Sequence, residues 1–238
     1  MLTKFCITIT YCDVAENHER MQKIGVARDS SFTYQHLRQL ASENKNAEFI
    51  DLTTQEGGEA CVLVFRNFIE NHKDVADELL ELDWDTKAKM RGKVVNKRAR
   101  HNLCFADMNQ EPDYEQGKGR VVAFNELPLL NEVKNRLEIL TEEYDLVAEG
   151  NLYYDVSKCG IGYHGDAERN IVIGLRLGCT MDLCFRWYCR SEIVSETTTI
   201  TLNPGDVYIM STKATGNDWK KRIIHTLRHA AGCDKYTK

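Results

Sequence analysis

The spacing of hydrophobic and polar residues changes along this chain. In the N-terminal part, the apolar runs at 5–10 and 60–65 have the length and β-branched composition of strands. Apolar residues recur every three or four positions at 31–42, 71–82 and 129–144, which predicts three amphipathic helices. The first part of the chain is therefore expected to mix strands with helices.

The C-terminal part consists of short β-like runs separated by turn residues, such as the Asn203-Pro204-Gly205 step. The runs are 151–154, 171–177, 181–188, 197–202, 206–210 and 223–230. Several short strands at this spacing are typical of a β-sandwich or a jelly-roll barrel. We predict an α+β protein in which residues 71–238 form a jelly-roll domain with flanking helices. Residues 1–70 form an N-terminal α/β extension or a separate small domain.

Composition and charge narrow the classes of function. The formal net charge of -5 argues against a protein that coats nucleic acid over its whole surface, so any such contact needs a local basic patch. The sequence has neither a signal-peptide pattern at its start nor an apolar stretch of the roughly 18 residues that span a bilayer. We expect an intracellular protein, cytoplasmic or nuclear, without membrane association. Its nine cysteines contain no C-x-x-C pair and predict reduced, mostly buried thiols.

A short histidine and aspartate motif carries the strongest chemical signal. His164 and Asp166, separated by one glycine, directly precede a predicted strand, and His225 and His229 follow about sixty residues later in another. Two imidazoles and one carboxylate on one face of iron(II) leave its other coordination positions open for a co-substrate and oxygen. An isolated H-x-D tripeptide is also found in solvated surface turns. The neighbouring strands favour the metal site here.

The residues around this motif resemble a known family. Residues 151–169 contain the pattern N-x-Y, then I-G-x-H-x-D-x-E-R, which resembles the AlkB-like oxygenases with one extra residue in the turn. Residues 92–107 resemble the family's lid over the substrate, and 127–130 resemble the start of its helix. The similarity extends from about residue 80 to the C-terminus and leaves the first seventy residues unexplained.

The resemblance implies a fold, cofactors and a reaction. The fold is a double-stranded β-helix, the cofactors are iron(II) and 2-oxoglutarate with ascorbate as an accessory reductant, and the reaction is oxidative attack on a C–H bond, often of an alkyl group on a nucleobase. Carried over by position, Asn151 and Tyr153 would contact 2-oxoglutarate, and Glu168 would face the substrate base. An alternative for Glu168 is a surface ion pair with Arg169.

The third metal ligand remains open between two histidines. AlkB-like proteins place it well before two arginines six residues apart, but no histidine lies between Asp166 and Arg222 here. His225 is one alternative and His229 is the other. Their separation of four residues places both on the same side of a predicted strand, and the greater length of strand after His225 favours it slightly.

The basic residue that anchors 2-oxoglutarate is open as well. Lys235 follows His225 by ten residues, a spacing that resembles prolyl hydroxylase-like oxygenases, in which the lysine binds the far carboxylate. Arg228 has the position of the second arginine of the AlkB-like pair. In a strand, however, Arg228 points away from both histidines.

A basic segment suggests the substrate. Seven lysines and arginines, and no acid, lie between Lys87 and His101. They are Lys87, Lys89, Arg91, Lys93, Lys97, Arg98 and Arg100. Such a patch can follow the phosphates of DNA or RNA while Phe105 or Trp84 stacks on a base. The leading hypothesis is oxidative demethylation or hydroxylation of a nucleobase. The alternatives are a protein or small-molecule hydroxylase and a jelly-roll binding module without metal.

Overall fold

The computed structural model describes residues 4–238, which form a mixed α+β fold dominated by two antiparallel sheets. The larger sheet has eight strands in the order β4-β5-β16-β12-β1-β10-β8-β9, and all neighbours are antiparallel except β8 and β9. These strands are β1 (Cys6–Cys12), β4 (Ala47–Asp51), β5 (Cys61–Phe65), β8 (His101–Ala106), β9 (Val121–Ala123), β10 (Val147–Tyr153), β12 (Val172–Leu177) and β16 (Val207–Met210).

The second sheet has five strands and packs against one face of the first. Its strands are β11 (Gly160–His164), β13 (Met181–Cys189), β14 (Glu192–Ile193), β15 (Thr198–Leu202) and β17 (Thr226–Gly232), with β13 at the centre. Leu183 and Phe185 of β13 share a buried cluster with Val172 and Tyr208 of the larger sheet. Two hairpins stand apart from the sheets: β2 (Val14–Glu16) with β3 (Lys23–Gly25), and β6 (Lys87–Met90) with β7 (Lys93–Asn96).

Three helices cover the other face of the larger sheet. The helices of the described chain are α1 (Tyr34–Glu43), α2 (His72–Leu80), α3 (Pro128–Thr141), α4 (Thr212–Thr215) and α5 (Asp234–Thr237). Leu37 of α1, Leu79 of α2 and Leu137 of α3 share one core with Ile7 and Ile9 of β1. Because side chains alternate across a strand, Cys6, Thr8 and Thr10 point to the opposite face, toward the second sheet.

The predicted helices at 31–42, 71–82 and 129–144 are confirmed as α1, α2 and α3. Thr33 caps α1 by accepting a hydrogen bond from the backbone N–H of His36, and Pro128 occupies the first turn of α3. The last predicted strand, 223–230, is displaced, since β17 begins only at Thr226 and pairs with β11 and β13. The β-rich C-terminal part is therefore confirmed with shifted bounds.

Three strands from residues 4–70 belong to the main sheet. Strand β1 lies between β10 and β12, and β4 and β5 extend the sheet beyond β16. Their side chains belong to the same buried cluster as residues from the rest of the chain. Residues before and after position 70 therefore contribute to one hydrophobic core.

Two smaller expectations concern cysteines and membranes. All nine cysteines are free, and six of them are buried, as predicted. Within residues 4–238, no helix is both long and apolar enough to cross a bilayer.

Candidate metal centre

Strand pairing brings the histidine and aspartate motif to a second histidine. His164 ends β11, and its partner in the β11–β17 register is His229. Asp166 lies just beyond the strand, where its backbone N–H donates to the carbonyl of Thr215. A side chain at Gly165 is excluded, because a Cβ there would lie 2.1 Å from the carbonyl oxygen of Gly216. The H-G-D sequence thus allows the close approach that places Asp166 between the two imidazoles.

The three side chains have the arrangement of a facial metal site. Their ligand atoms lie within 4.8 Å of one another. Nε2 of His164 is 3.6 Å from Oδ1 of Asp166, and Nε2 of His229 is 3.8 Å from Oδ2 of the same carboxylate. Nδ1 of His164 donates to the carbonyl oxygen of Gly162 at 2.8 Å, and Nε2 is the ring nitrogen that faces Asp166.

His229 is held in the neutral form that a metal ligand requires. It is 6% exposed, and its burial together with the neighbouring His164 holds its pKa well below the ordinary value. Its buried Nδ1 has no partner in hydrogen-bond geometry. Two imidazoles and one carboxylate are a donor set that iron(II) accepts, and the residues present fit such an ion.

A cavity of about 400 Å³ opens beside the three residues. Its floor is the face of the larger sheet that carries Thr8 and Thr10 of β1. The strand registers place Asn151, Thr8 and Arg176 in one row, and Glu149, Thr10 and Gly174 in the next. The ring of Tyr208 covers Gly174, where a Cβ would lie 2.0 Å from it. Side chains from four neighbouring strands therefore point into one cavity.

One end of the cavity is formed by Arg176, a buried cation without an acidic partner. Arg176 is 1% exposed. Its Nη1 donates to Oγ1 of Thr8 at 2.9 Å and to Sγ of Cys6 at 3.1 Å, while its buried Nε has no partner. Within residues 4–238, no carboxylate lies at ion-pair distance from it. We call this region, with Tyr153 and Tyr208, the Arg176 end.

The other end contains a second buried arginine that is fully paired. Nη2 of Arg169 donates to Glu149 at 2.5 Å and to Glu168 at 2.8 Å. Burial raises the pKa of Glu168 despite this contact, and the pKa of Glu149 is lowered because Arg169 outweighs the effect of burial. Asn151 continues the network: its amide donates to Glu149, and its oxygen accepts from Arg100. We call Glu149, Glu168 and Arg169 the Arg169 end.

Several predicted residues do meet in this cavity. Asn151 and Tyr153 line it, as do Glu168 and Arg100. One oxygen of Glu168 is bound by the buried Arg169, and the side chain also lines the cavity. The oxygen of Asn151 is occupied by Arg100 and Asn102 and one amide N–H by Glu149, so a ligand can reach only the other amide N–H.

The expected third ligand and anchors require correction. His225 lies before β17 begins and is outside the cluster, so the favoured alternative gives way to His229. Lys235 lies exposed on α5, and it does not line the cavity. Arg228 points away from His229, as the strand alternation implied, and its guanidinium stacks 4.1 Å from the ring centre of Tyr188. Neither cation is placed to hold a ligand beside the metal centre.

The aromatic residues that we expected to stack on a base lie in or against the hydrophobic core instead. Phe105 is 0% exposed and packs in the core against Phe124, because β8 is buried beneath the helices. Trp84 donates its indole N–H to the carbonyl of Leu79 and packs against the same core. The aromatic side chain that lines the cavity from a loop is Trp219.

Arg176 and Glu149 were missed as site residues by the sequence reasoning. A signal was present for Arg176, since it is the single charged residue of β12, whose other positions are apolar or glycine. A charge in such a strand usually binds a partner or a ligand, because burial of an unpaired charge is costly. Glu149 carried a similar signal in the buried strand β10.

Comparisons with known proteins yield one clear relative. No family model matches the chain. A viral protein described as "Uncharacterized protein R156", from Acanthamoeba polyphaga mimivirus, is 49% identical over 249 aligned residues, which include 99% of this chain and 98% of that one. The aligned region therefore spans both sheets.

Proposed function

This chain belongs to the same family as protein R156 of Acanthamoeba polyphaga mimivirus, and we propose that it is an iron(II)- and 2-oxoglutarate-dependent dioxygenase. One observation carries the proposal: His164, Asp166 and His229 meet beside a cavity that is also lined by Arg176, a buried cation without a carboxylate partner among the described residues. The two facing sheets are then the walls of a double-stranded β-helix. The resemblance of residues 151–169 to AlkB-like oxygenases supports the same reading.

Arg176 replaces the predicted anchors for 2-oxoglutarate. A guanidinium binds a carboxylate through two parallel hydrogen bonds, and the low polarity around Arg176 strengthens that contact. The keto acid of 2-oxoglutarate would bind at the metal, and its far carboxylate would bind Arg176 beside the hydroxyl of Tyr153. A cavity of about 400 Å³ has the size of a small-molecule site.

The protein's own contribution to the reaction is positioning and exclusion of water. Bound iron(II) and 2-oxoglutarate supply the activation of oxygen. The carbonyl of Gly162 fixes the tautomer of His164, and the Thr215 carbonyl holds the backbone of Asp166. Val172, Leu183 and other apolar side chains line the cavity and keep it dry. Ascorbate would serve as an accessory reductant.

Two basic surfaces beside the cavity favour nucleic acid as the substrate. On the β6–β7 side, Lys87, Arg91, Lys93 and Arg98 are exposed. In a second group, Lys220, Lys221 and Arg222 are exposed, directly after Trp219. Among the described ion pairs, none uses these seven residues. Met90 and Lys220 line the cavity, so both surfaces reach its opening. Phosphates bound at these two groups would bring a single flipped base to the cavity.

The carboxylates of the cavity favour a second candidate, a protein hydroxylase. Glu16, Glu149 and Glu168 line the cavity and lie close enough for the acids at 149 and 168 to raise the pKa of Glu16, after the larger effect of burial. Such a wall suits a group that donates hydrogen bonds or carries positive charge, including the side chain of a lysine. A base with an exocyclic amino group meets the same requirement.

The cofactor class is tested with metal and co-substrate alone. Anaerobic addition of iron(II) and 2-oxoglutarate should produce the weak visible charge-transfer band of the chelate. We expect His229→Ala to lose this band and His225→Ala, its matched control four residues away, to retain it. Absence of the band in the wild type would instead favour the binding module without metal. Loss in His225→Ala alone would restore the other histidine as the ligand.

A further inference from the structure

A pair of arginines lies on the outer face of the second sheet, the face turned away from the cavity. Arg186 of β13 is the register partner of Arg228 of β17, so both side chains leave the sheet on the same side. The preceding register pair, Phe185 and His229, points inward, Phe185 into the buried cluster and His229 into the metal centre. Like charges directly opposite each other destabilise a sheet, so this pair needs a compensating feature.

Acidic side chains of the described chain do not supply the compensation. Among the ion pairs of residues 4–238, none includes Arg186 or Arg228. Nε of Arg186 donates to Oγ1 of Thr197 at 2.6 Å, and Nε of Arg228 is buried without a partner. Both side chains are partly exposed. The pair therefore presents two positive charges at the surface, and within this range no carboxylate binds either of them.

Two tyrosine rings orient the guanidinium groups. The guanidinium carbon of Arg186 lies 4.6 Å from the ring centre of Tyr163, and that of Arg228 lies 4.1 Å from the ring centre of Tyr188. The two rings adjoin, with their centres 6.0 Å apart. The hydroxyl of Tyr163 donates to the carbonyl of Thr237 at 3.1 Å, which fixes that ring. A guanidinium stacked in this way is already ordered, so an anion that binds its N–H groups pays less of the cost of side-chain ordering.

One loop joins the arginine pair to the cavity. The guanidinium carbon of Arg228 lies 5.5 Å from the ring centre of Trp219, and Trp219 also lines the cavity. The exposed basic residues 220–222 follow Trp219 directly. The carbonyl of Arg222 accepts a hydrogen bond at 2.8 Å from the backbone N–H of Arg190, which follows β13. The outer face of the sheet and the opening of the cavity are therefore neighbouring surfaces.

We infer that Arg186 and Arg228 form a phosphate-binding site for a nucleic-acid strand whose target base lies in the cavity. Two adjacent guanidinium groups offer paired N–H donors that match the oxygens of a phosphodiester. The connection through Trp219, which can stack on a base, and through the cations at 220–222 favours nucleic acid over an acidic peptide. Because the pair faces away from the cavity, it binds the backbone beyond the target nucleotide. The target base rests on the proposed function, whereas the phosphate site needs neither iron(II) nor 2-oxoglutarate.

The site is tested by fluorescence anisotropy with a labelled oligodeoxythymidylate about twenty nucleotides long, bound to the full chain without metal at several salt concentrations. Arg186→Gln combined with Arg228→Gln removes two phosphate contacts, so the slope of log K against log salt should decrease in magnitude by about 1.4. The double lysine variant at the same positions keeps both charges and should retain most of the slope. The matched control, Arg38→Gln with Lys73→Gln on the helical side, should retain all of it. An unchanged slope in the double glutamine variant overturns the inference.

A second measurement uses the wild-type chain and so does not depend on the folding of a variant. The protein is treated with p-hydroxyphenylglyoxal, which modifies arginine, with and without the oligonucleotide, and the modified peptides are quantified by mass spectrometry. We expect the oligonucleotide to protect Arg186 and Arg228 and to leave Arg38 equally reactive. Equal modification of the pair with and without the oligonucleotide refutes the site. Equal protection by polyglutamate at the same concentration of charge overturns nucleic acid as the partner.

These measurements separate the phosphate site from the proposed function, because both are made without iron(II) and 2-oxoglutarate. Protection of the pair in a protein that shows no chelate band leaves the phosphate site standing and removes the proposed cofactors. A chelate band in a protein whose arginine pair is not protected has the opposite meaning: the dioxygenase stands, and the phosphate site is refuted.

Discussion

Two arginines seven residues apart line the same cavity and have opposite surroundings. Arg169 is 5% exposed and binds Glu149 and Glu168, while Arg176 is 1% exposed and meets only a hydroxyl and a sulfur. Removal of a buried charge from water is costly, so a folded protein normally gives it a partner. Arg169 has its partners within the chain. Arg176 lacks them among the described residues, which marks its end of the cavity as the place for an external anion.

Arg169→Met should have the largest effect, a loss of folding stability. Loss of this guanidinium leaves Glu149 and Glu168 without their bound cation in a largely buried position, which costs about 3–5 kcal/mol. For a chain of this length the melting midpoint should then fall by roughly 6–20 °C. Thermal unfolding followed by circular dichroism measures the change.

The control for that variant also removes the two negative charges that Arg169 binds. Glu149→Gln combined with Glu168→Gln in the Arg169→Met background should recover much of the lost stability, because no charge then remains unpaired. An unchanged midpoint in Arg169→Met alone would mean that the paired arginine is not structural.

Arg176→Met should have the next largest effect, and on binding rather than on folding. Truncation of one member of a buried charge pair costs about 2–5 kcal/mol, so 2-oxoglutarate should bind at least about thirtyfold more weakly. The melting midpoint of the free protein should stay constant or rise, because an unpaired buried charge has been removed.

The matched control is Lys235→Ala, which removes the exposed lysine first expected to anchor the co-substrate. Calorimetric titration of 2-oxoglutarate should show unchanged affinity in that variant. The comparison between the arginines fails if Arg176→Met binds as tightly as the wild type, or if it loses as much stability as Arg169→Met.

The contrast between local and distant information explains which features the sequence predicted. Helices α1 to α3 and the motif at His164 depend on spacing within a few residues, and these were predicted with nearly correct bounds. The choice between His225 and His229 depends on where β17 pairs with β11, some seventy residues away. Strand alternation treats two residues four apart alike, so the sequence pattern had no means of separating them.

Burial on both faces of a sheet was the other source of error. Phe105 was expected at a surface, but β8 lies in a sheet that is covered by helices, so its ring is in the core. The state of Arg176 likewise depends on β1 and β10, which supply its neighbours from distant parts of the chain. An isolated charge in an apolar strand indicates a buried charge that needs a partner or a ligand. It does not say whether a partner lies within the fold.

A smaller effect is expected from Glu168→Gln, on the pH dependence of stability. Burial raises the pKa of Glu168, so the folded protein keeps this proton to higher pH than the unfolded chain does. The native state then binds more protons above the ordinary value of 4.5, and the contribution of Glu168 to stability falls as the pH rises from there. Glu168→Gln should remove this decline.

Melting curves at a series of pH values measure the slope in both proteins. Asp182→Asn, which alters an exposed carboxylate on β13 away from the cavity, serves as the control. An identical slope in Glu168→Gln and the wild type would show that Arg169 compensates the buried carboxylate completely.

The smallest effect on stability is expected from substitutions at the basic surface beside the cavity. These substitutions should instead weaken the binding of nucleic acid. Replacement of Lys220, Lys221 and Arg222 by alanine should leave the melting midpoint unchanged and weaken the binding of a fluorescent single-stranded oligonucleotide. With three phosphate contacts removed, the slope of log K against log salt should decrease in magnitude by about 2. The control replaces Arg38, Lys45 and Lys73, three exposed basic residues on the helical side, and should retain the full slope. Equal slopes in both triple variants would mean that the basic residues at the opening do not bind phosphates, and the carboxylates at the Arg169 end would then favour a protein substrate.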